Sequence, residues 1–207
     1  MLKSNRLDAL ADGIFAIVMT ILVFEIKLPT YLGDISNTRL WYELENLLPS
    51  FLSYILSFAL LFTYWRAHHF FISVYAKNID TTLMNINGIF FMFVSLVPFS
   101  ASILGHYSNN ELAILIFGLN IIIIGLTLYY MRHYVFYSPH IKNPEITHYE
   151  IVGSTIRTLI PVIFAIIAIP VSFYNTTFSL TLFTIAVIFN LFPYSTYLLQ
   201  KLLGSKK

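Results

Sequence analysis

The sequence predicts an all-α integral membrane protein with six transmembrane helices in each subunit. Only 11% of its 207 residues are charged and 57% are hydrophobic, whereas about 25% of the residues in a soluble domain carry a charge. A helix that crosses a bilayer needs about 20 mostly apolar residues. Six such stretches lie near residues 7–28, 48–74, 80–104, 111–136, 150–173 and 177–200. Because no soluble segment or internal duplication separates them, we expect a single domain over residues 1–207.

The first segment begins near Arg6 and ends at Pro29. Its apolar run is too long for a secretory signal peptide and lacks a small-residue cleavage site, so we expect it to stay as a membrane helix. The second segment begins near Pro49, which suits the first turn of a helix. The connection between them is polar and contains Asp34, Arg39, Glu43 and Glu45.

Short polar turns separate the later segments. Asn78-Ile79-Asp80 precedes the third segment, and the Asp80 side chain is a suitable N-cap for that helix. Residues 105–110 end the third segment, and residues 138–148 form the longest later connection. Asn175 begins the turn into the sixth segment. The chain therefore reads as six helices joined by short loops.

Basic residues in short loops predict the orientation, because they favour the cytoplasmic side. If both termini are cytoplasmic, the opposite side holds only Lys27 and Arg39. The cytoplasmic side then holds Lys3, Arg6, Lys77, Arg132, Lys142, Lys201, Lys206 and Lys207. We therefore expect a multi-pass protein of the cell membrane with both termini in the cytoplasm.

The first segment has an apolar strip along its whole length. At about 100° per residue, one line of a helical wheel collects Arg6, Leu10, Gly13, Ile17, Ile21, Phe24 and Leu28. Thr20 and Ile14 flank the strip on opposite sides, and Asp12 points about 140° away from Ile17. We expect the Asp12 face to be buried against the rest of the subunit. The strip itself could line an ion pathway or pack against a neighbouring helix.

Residues 6–13, RLDALADG, resemble the Arg-x-x-x-Phe-Ser-Asp-Gly signature of the transmembrane protein 175 family. Arg6, Asp12 and Gly13 match it in place, whereas Leu10 and Ala11 replace the usual Phe and Ser. Residues 15–29 are similar to the rest of the family's first helix, and residues 64–69, YWRAHH, resemble its second-helix motif. In the third segment, Asn87 and the Pro98-Phe99 pair resemble the family's pattern.

The resemblance implies a potassium-permeable, leak-like channel. A chain with one six-helix repeat is similar to the prokaryotic members, which implies a homotetramer with the first helix of each subunit lining a central pore. By the same resemblance, Ile17, Ile21 and Phe24 form the constriction and Thr20 contributes to selectivity. No cofactor is implied, since potassium is the permeant ion; the partners are the lipid bilayer and three further copies of the chain.

The residues themselves are compatible with such a pore. No Gly-rich carbonyl filter of the TVGYG kind is present, but four apolar strips around an axis would make stacked rings that gate by dewetting. Thr20 could offer oxygen to a partly dehydrated cation, although a membrane Thr often bonds its own backbone instead. The alternatives are a proton-coupled secondary transporter or proton channel, and a non-conducting membrane scaffold.

Asp12 is costly in lipid unless it is paired. We predict a structural network at the cytoplasmic end that joins Arg6, Asp12, one of two adjacent histidines and Asn87. The second segment supplies this network with Trp65, His68 and His69. The alternative role is gating or proton sensing by a histidine. Adjacent residues on a helix point about 100° apart, so His68 and His69 are poor joint ligands for one metal ion. The sequence also contains no enzyme motif, and we do not expect an enzyme.

Overall fold

The structure is a computed structural model that describes residues 4–27 and 36–192. These residues are helical almost throughout. The first four elements are α1 (Ser4–Ile21, extended by a 3-10 turn Leu22–Glu25), α2 (Asn37–Asn46), α3 (Leu48–His69, continued by a π-helical segment Phe70–Tyr75) and α4 (Thr81–Val94). The remaining four are α5 (Val97–His106), α6 (Glu111–Tyr137), α7 (His148–Ser172) and α8 (Thr176–Leu191).

Five helical stretches of the described residues are long and apolar enough to cross a membrane. They are Arg6–Glu25, Leu48–Tyr75, Thr81–His106, Glu111–Tyr137 and Tyr149–Ser172. The sixth apolar helix, Thr176–Leu191, is shorter, and residues 193–200 of the predicted segment lie outside the described residues. The all-helical membrane architecture is therefore confirmed. Lys3, Leu28, Pro29, Asp34, Lys201, Lys206 and Lys207 also lie outside the described residues.

Side-chain caps begin α4 and α8 at the two polar turns that the sequence predicts there. The Leu83 N–H donates to Asp80 Oδ1 over 2.8 Å at the start of α4. The Phe178 N–H donates to Asn175 Oδ1 over 2.9 Å at the start of α8. Pro49 lies in the first turn of α3, where its missing N–H costs no helical hydrogen bond.

Two elements differ from the simple six-segment pattern. The polar connection before the second segment contains a helix, α2, which Ser36 caps by accepting from the Arg39 N–H over 3.3 Å. The third segment is divided into α4 and α5 around Ser95 and Leu96. Pro98 lies in the first turn of α5 and cannot donate to the carbonyl four residues earlier, so a continuous helix loses a hydrogen bond there.

Helix α6 is the centre of the bundle and packs against α4, α5, α7 and α8. Two glycines on α6 allow α7 to approach closely. A Cβ at Gly125 would lie 2.3 Å from Val162 Cγ2, and one at Gly118 would lie 2.9 Å from Ile169 Cγ1. Small residues at helix crossings are typical of membrane proteins. Helices in lipid associate through close packing of their backbones, because no hydrophobic effect drives them together there. Helix α1, in contrast, lies at the edge of the bundle against α3, α4 and α5.

Candidate functional site on the first helix

One face of α1 is buried against its own subunit. The buried side chains recur every three or four residues, as one face of a helix requires, and are Leu7, Ala11, Phe15, Val18 and Leu22. Phe15 anchors this face, with its ring centroid 6.1 Å from that of Phe90 on α4. The helix is therefore held in one rotational setting, which decides what its other side presents.

The side of α1 that points away from the subunit carries the predicted apolar strip. Its large apolar members within residues 4–27 are exposed: Leu10 52%, Ile17 59%, Ile21 40% and Phe24 68%. Gly13 lies on the same side, and a Cβ there would meet nothing within 4 Å. Of the five membrane-length stretches, α1 is the least buried, at 28% against 33–50% for the others. The strip is thus an extended surface that the subunit itself does not cover.

Thr20 lies beside the strip and is also exposed. Its hydroxyl donates back to its own helix, with Oγ1 at 2.8 Å from the Ala16 carbonyl oxygen and 2.9 Å from that of Ile17. A hydroxyl has one proton and two acceptor lone pairs. The bond to the backbone uses the proton and leaves acceptor capacity on the oxygen.

Asp12 pairs with Trp65 rather than with a histidine. The Trp65 Nε1–H donates to Asp12 Oδ1 over 2.7 Å. The expectation that the Asp12 face is buried is wrong, because Asp12 is exposed while its neighbour Ala11 is buried. One residue along a helix is a turn of about 100°, which takes Asp12 from the core to the edge of the contact between α1 and α3.

At the contact between α1 and α3, the histidine beside an acidic group is His69, and the acidic group is Asp8. The His69 Nδ1 lies 3.4 Å from Asp8 Oδ1, which is an ion-pair distance and not a hydrogen bond. The Ser73 hydroxyl donates to Asp8 Oδ2. Sequence reasoning missed Asp8, although it lies four residues before Asp12 and so on the same side of α1, one turn away.

His68 and Asn87 form a separate, buried pair between α3 and α4. The His68 Nε2 lies 2.5 Å from Asn87 Oδ1, and the Asn87 amide donates to the Leu83 carbonyl over 2.8 Å. Since the amide nitrogen is occupied as a donor, the Asn87 oxygen accepts and His68 carries its proton on Nε2. The His68 ring also stacks on Phe90, with centroids 5.4 Å apart.

The predicted network is therefore divided. Asp12 bonds to α3 through Trp65, whereas Asn87 bonds to His68 in the core. Arg6 is exposed, and among the contacts of residues 4–27 and 36–192 it is not joined to Asp12. Within those ranges no group of three or more His, Asp or Glu side chains could hold a metal ion. The arrangement clamps the N-terminal half of α1 to α3 and leaves its apolar strip uncovered.

Comparisons with known proteins relate this chain to ion channels. Residues 6–98 match the family described as "Endosomal/lysosomal potassium channel TMEM175". A potassium channel from Chryseobacterium sp. (strain P1-3) is 26% identical over 194 residues, which are 93% of this chain and 94% of that protein. The mouse endosomal/lysosomal proton channel TMEM175 is 25% identical over 99% of this chain, which corresponds to 42% of the mouse protein.

The fold also matches a solved structure. The crystal structure of a lysosomal potassium-selective channel TMEM175 homolog from Chamaesiphon minutus superposes with a TM-score of 0.78. The match covers 92% of this chain and 97% of the Chamaesiphon chain at 24% identity. This likeness concerns the fold of a single subunit.

Proposed function

Because the chain belongs to the TMEM175 family, a family of ion channels and not of enzymes, we propose that it forms a homotetrameric, potassium-permeable channel. In this proposal the α1 helices of four subunits surround a central pore. The bacterial relative is named a potassium channel, which supports potassium as the main permeant ion. The proposal requires no cofactor.

The observation that carries the proposal is the uncovered apolar strip of α1. A helix that buries Phe15 and Val18 in its own subunit and exposes Ile17 and Phe24 on the opposite side can face an axis shared with other copies. Four such helices would place rings of Ile17, Ile21 and Phe24 one above another. The rings would form the narrowest part of the pathway.

A constriction of this kind controls conduction because it determines whether the pore is hydrated. A potassium ion in a narrow apolar ring loses hydration without gaining oxygen ligands, so a tight ring is a barrier and a slightly wider, wetted ring conducts. The three apolar layers would therefore act as a hydrophobic gate. Phe24 has the largest exposed side chain of the three, and its ring would narrow the end of the pore far from the Asp12 clamp.

Thr20 is the proposed selectivity contributor. Its proton is directed to the Ala16 and Ile17 carbonyls, so the hydroxyl oxygen can accept a cation without breaking that bond. Four Thr20 oxygens between the Ile17 and Ile21 rings would partly replace the hydration shell of a permeating ion. This polar layer would favour a weakly hydrated cation over one that holds its water more tightly.

The polar contacts at the N-terminal half of α1 would have a structural role. The Trp65–Asp12 bond and the Asp8–His69 contact would set the depth and rotation of α1, and so the register of the rings. Arg6 and Gly13 complete the motif on the exposed side of the helix. With both termini in the cytoplasm of the cell, this clamp would lie at the cytoplasmic end of the pore.

Flux measurements on the purified protein in liposomes test the proposal. We expect potassium flux that exceeds sodium flux under matched gradients, from a particle whose mass in solution equals four chains. A monomeric particle without flux would overturn the proposal. A tetramer whose sodium and potassium fluxes are equal would contradict the selectivity assigned to Thr20 while leaving the pore in place.

A second candidate function is proton conduction, alone or coupled to a transported ion. It rests on the mouse relative, which is named a proton channel, and on the exposed His69 beside Asp8 at 3.4 Å. A pH-sensitive dye inside the liposomes distinguishes the two functions. Proton entry that persists without potassium would favour a proton channel, and potassium flux that requires a proton gradient would favour a coupled transporter.

A further inference from the structure

A cavity of about 240 Å³ lies among α3, α6, α7 and α8, apart from the α1 strip. Its apolar wall includes Ala67, Phe70 and Leu128, and its polar wall includes Arg66, Arg157 and Asn190. It lies where α3 passes into its π-helical segment and where α7 begins, at the end of the subunit that also holds the Asp12 clamp. Arg66 follows Trp65 directly in the chain.

Two arginines from different helices line this cavity. Arg66 belongs to α3 and Arg157 to α7, and both are among the lining residues. Ionisable residues within membrane helices are costly, and they usually mark a ligand, an ion or a partner. Arg66 has a structural role as well, because its guanidinium donates to the Asn190 and Leu191 carbonyls at the end of α8. Glu150 also lines the cavity, so the charged lining carries a net charge of one positive unit, from two arginines less one glutamate.

Asn190 provides an independent sign of a ligand. The residue is only 5% exposed, and its amide nitrogen donates to the Arg157 carbonyl over 3.0 Å. Its Oδ1 is buried and has no hydrogen-bond partner among the residues that the structure describes. Buried amide oxygens are nearly always satisfied. Because Asn190 is one of the residues that line the cavity, a small shift of its side chain would let a bound ligand supply the missing hydroxyl or N–H donor.

We propose that the cavity binds a hydroxyl-bearing organic phosphodiester, as in the headgroup of an anionic glycerol lipid. A phosphodiester has one negative charge, which would neutralise the single net positive charge of the lining. It would lie between Arg66 and Arg157. A headgroup hydroxyl would donate to Asn190 Oδ1. The apolar wall at Ala67 and Phe70 would contact the carbon atoms next to the phosphate.

The location favours a lipid over a soluble diester. The membrane-length stretches of α3 and α7 end at Tyr75 and begin at Tyr149, and both tyrosines line the cavity. Headgroups lie at this depth of a bilayer, where tyrosines are also enriched. Because Arg66 adjoins Trp65, an occupied cavity would also brace the part of α3 that clamps α1.

Lipid retention by the full-length protein tests this site. The protein is reconstituted with equal amounts of phosphatidylglycerol and phosphatidylcholine and extracted, and the lipids that stay bound are counted by native mass spectrometry. We expect phosphatidylglycerol to be retained selectively. Arg157→Gln should lower that retention about tenfold, the equivalent of one charge-assisted hydrogen bond.

Lys77→Gln is the matched control, since Lys77 is an exposed basic residue that follows α3 and does not line the cavity. It should retain phosphatidylglycerol as the wild type does. Equal losses in Arg157→Gln and Lys77→Gln would show general attraction of anionic lipid and overturn the site. Equal retention by the wild type and Arg157→Gln would overturn it as well.

Two further measurements complete the test. Ala67→Phe fills the cavity without changing its charge and should also abolish selective retention of phosphatidylglycerol. This variant tests the site even if Arg157→Gln does not fold. Selective retention by Ala67→Phe would overturn the proposal.

In the second measurement, glycerophosphoglycerol, which has no acyl chains, is added as a competitor. Displacement only at large excess identifies a lipid as the ligand, whereas displacement at equal concentration identifies the soluble diester and overturns the lipid assignment.

Discussion

Trp65 on α3 donates its indole N–H to the Asp12 carboxylate on α1 over 2.7 Å, at the edge of the contact between the two helices. His69, one turn further along α3, and Ser73, in the π-helical segment that follows, contact Asp8, which precedes Asp12 by four residues. Two neighbouring polar contacts therefore hold the N-terminal half of α1. The apolar strip from Ile17 to Phe24 projects from a helix whose rotation these contacts help to define.

Ile17→Asn should raise potassium flux severalfold. An amide in the proposed Ile17 ring would retain water there and lower the dewetting barrier. The measurement is the initial rate of potassium uptake into liposomes at equal protein density. Ile166→Asn on α7 is the control, because Ile166 is exposed to nearly the same extent, 55% against 59% for Ile17. Equal effects of both substitutions would remove Ile17 from the pore.

Asp12→Ala should lower the yield and thermal stability of the tetramer. The substitution leaves the Trp65 N–H without its acceptor, and the lost hydrogen bond to a charged group should cost about 1.5 kcal/mol per subunit. Trp65→Phe should have a similar effect, and the double variant should be little worse than either single one. Thermal unfolding and size-exclusion chromatography measure both properties.

The control for this pair is Trp41→Phe. Trp41 donates to Glu45 Oε1 over the same distance, 2.7 Å, but both residues belong to α2. Its loss should leave tetramer yield unchanged, because the bond joins no two helices. If Asp12→Ala assembles and unfolds like Trp41→Phe, the Asp12 contact does not position α1.

Gly125→Ala should destabilise the fold by about 1–3 kcal/mol, the usual cost of overpacking. The added methyl would lie 2.3 Å from Val162 Cγ2, which forces α6 and α7 apart. Val162→Ala in the same chain should restore much of the loss. Gly88→Ala is the control, since a Cβ there meets nothing within 4 Å, and its unfolding temperature should not fall.

Acid should weaken the contact between the α4 N-terminus and the loop after α6. Partial burial opposes ionisation of Asp80, but hydrogen bonds from the Leu83 N–H, Tyr134 and His140 outweigh it and lower the pKa of Asp80. The ionised carboxylate therefore adds stability at pH values above its pKa in the unfolded chain. That contribution is lost as the pH falls through the lower pKa of the folded state.

Thermal unfolding of the wild type and Asp80→Asn over a series of acidic pH values checks this prediction. The difference in stability between the two proteins should be largest near neutral pH and should shrink on acidification. Glu145→Gln, which removes an exposed carboxylate from the same loop region, controls for the change in total charge. A difference that is independent of pH would contradict the role of ionised Asp80.

The sequence by itself determined the features that depend on neighbours along the chain. Apolar length located the membrane helices, and the helical period placed Ile17 and Phe24 together on one apolar strip of α1. The caps at Asp80 and Asn175 were also predictable, because a capping side chain reaches only the next few N–H groups. These are local properties, which composition and periodicity record directly.

Only the tertiary structure decided which groups meet. The depth and rotation of α3 relative to α1 pair Asp12 with Trp65 and Asp8 with His69, and they leave His68 in the core with Asn87. A rotation of α1 by one residue, about 100°, would have changed the partners of both carboxylates without altering any helical pattern. The cavity between Arg66 and Arg157 likewise joins residues far apart in the chain. Side-chain pairing across helices depends on their packing in three dimensions, which the periodicity of a single helix does not contain.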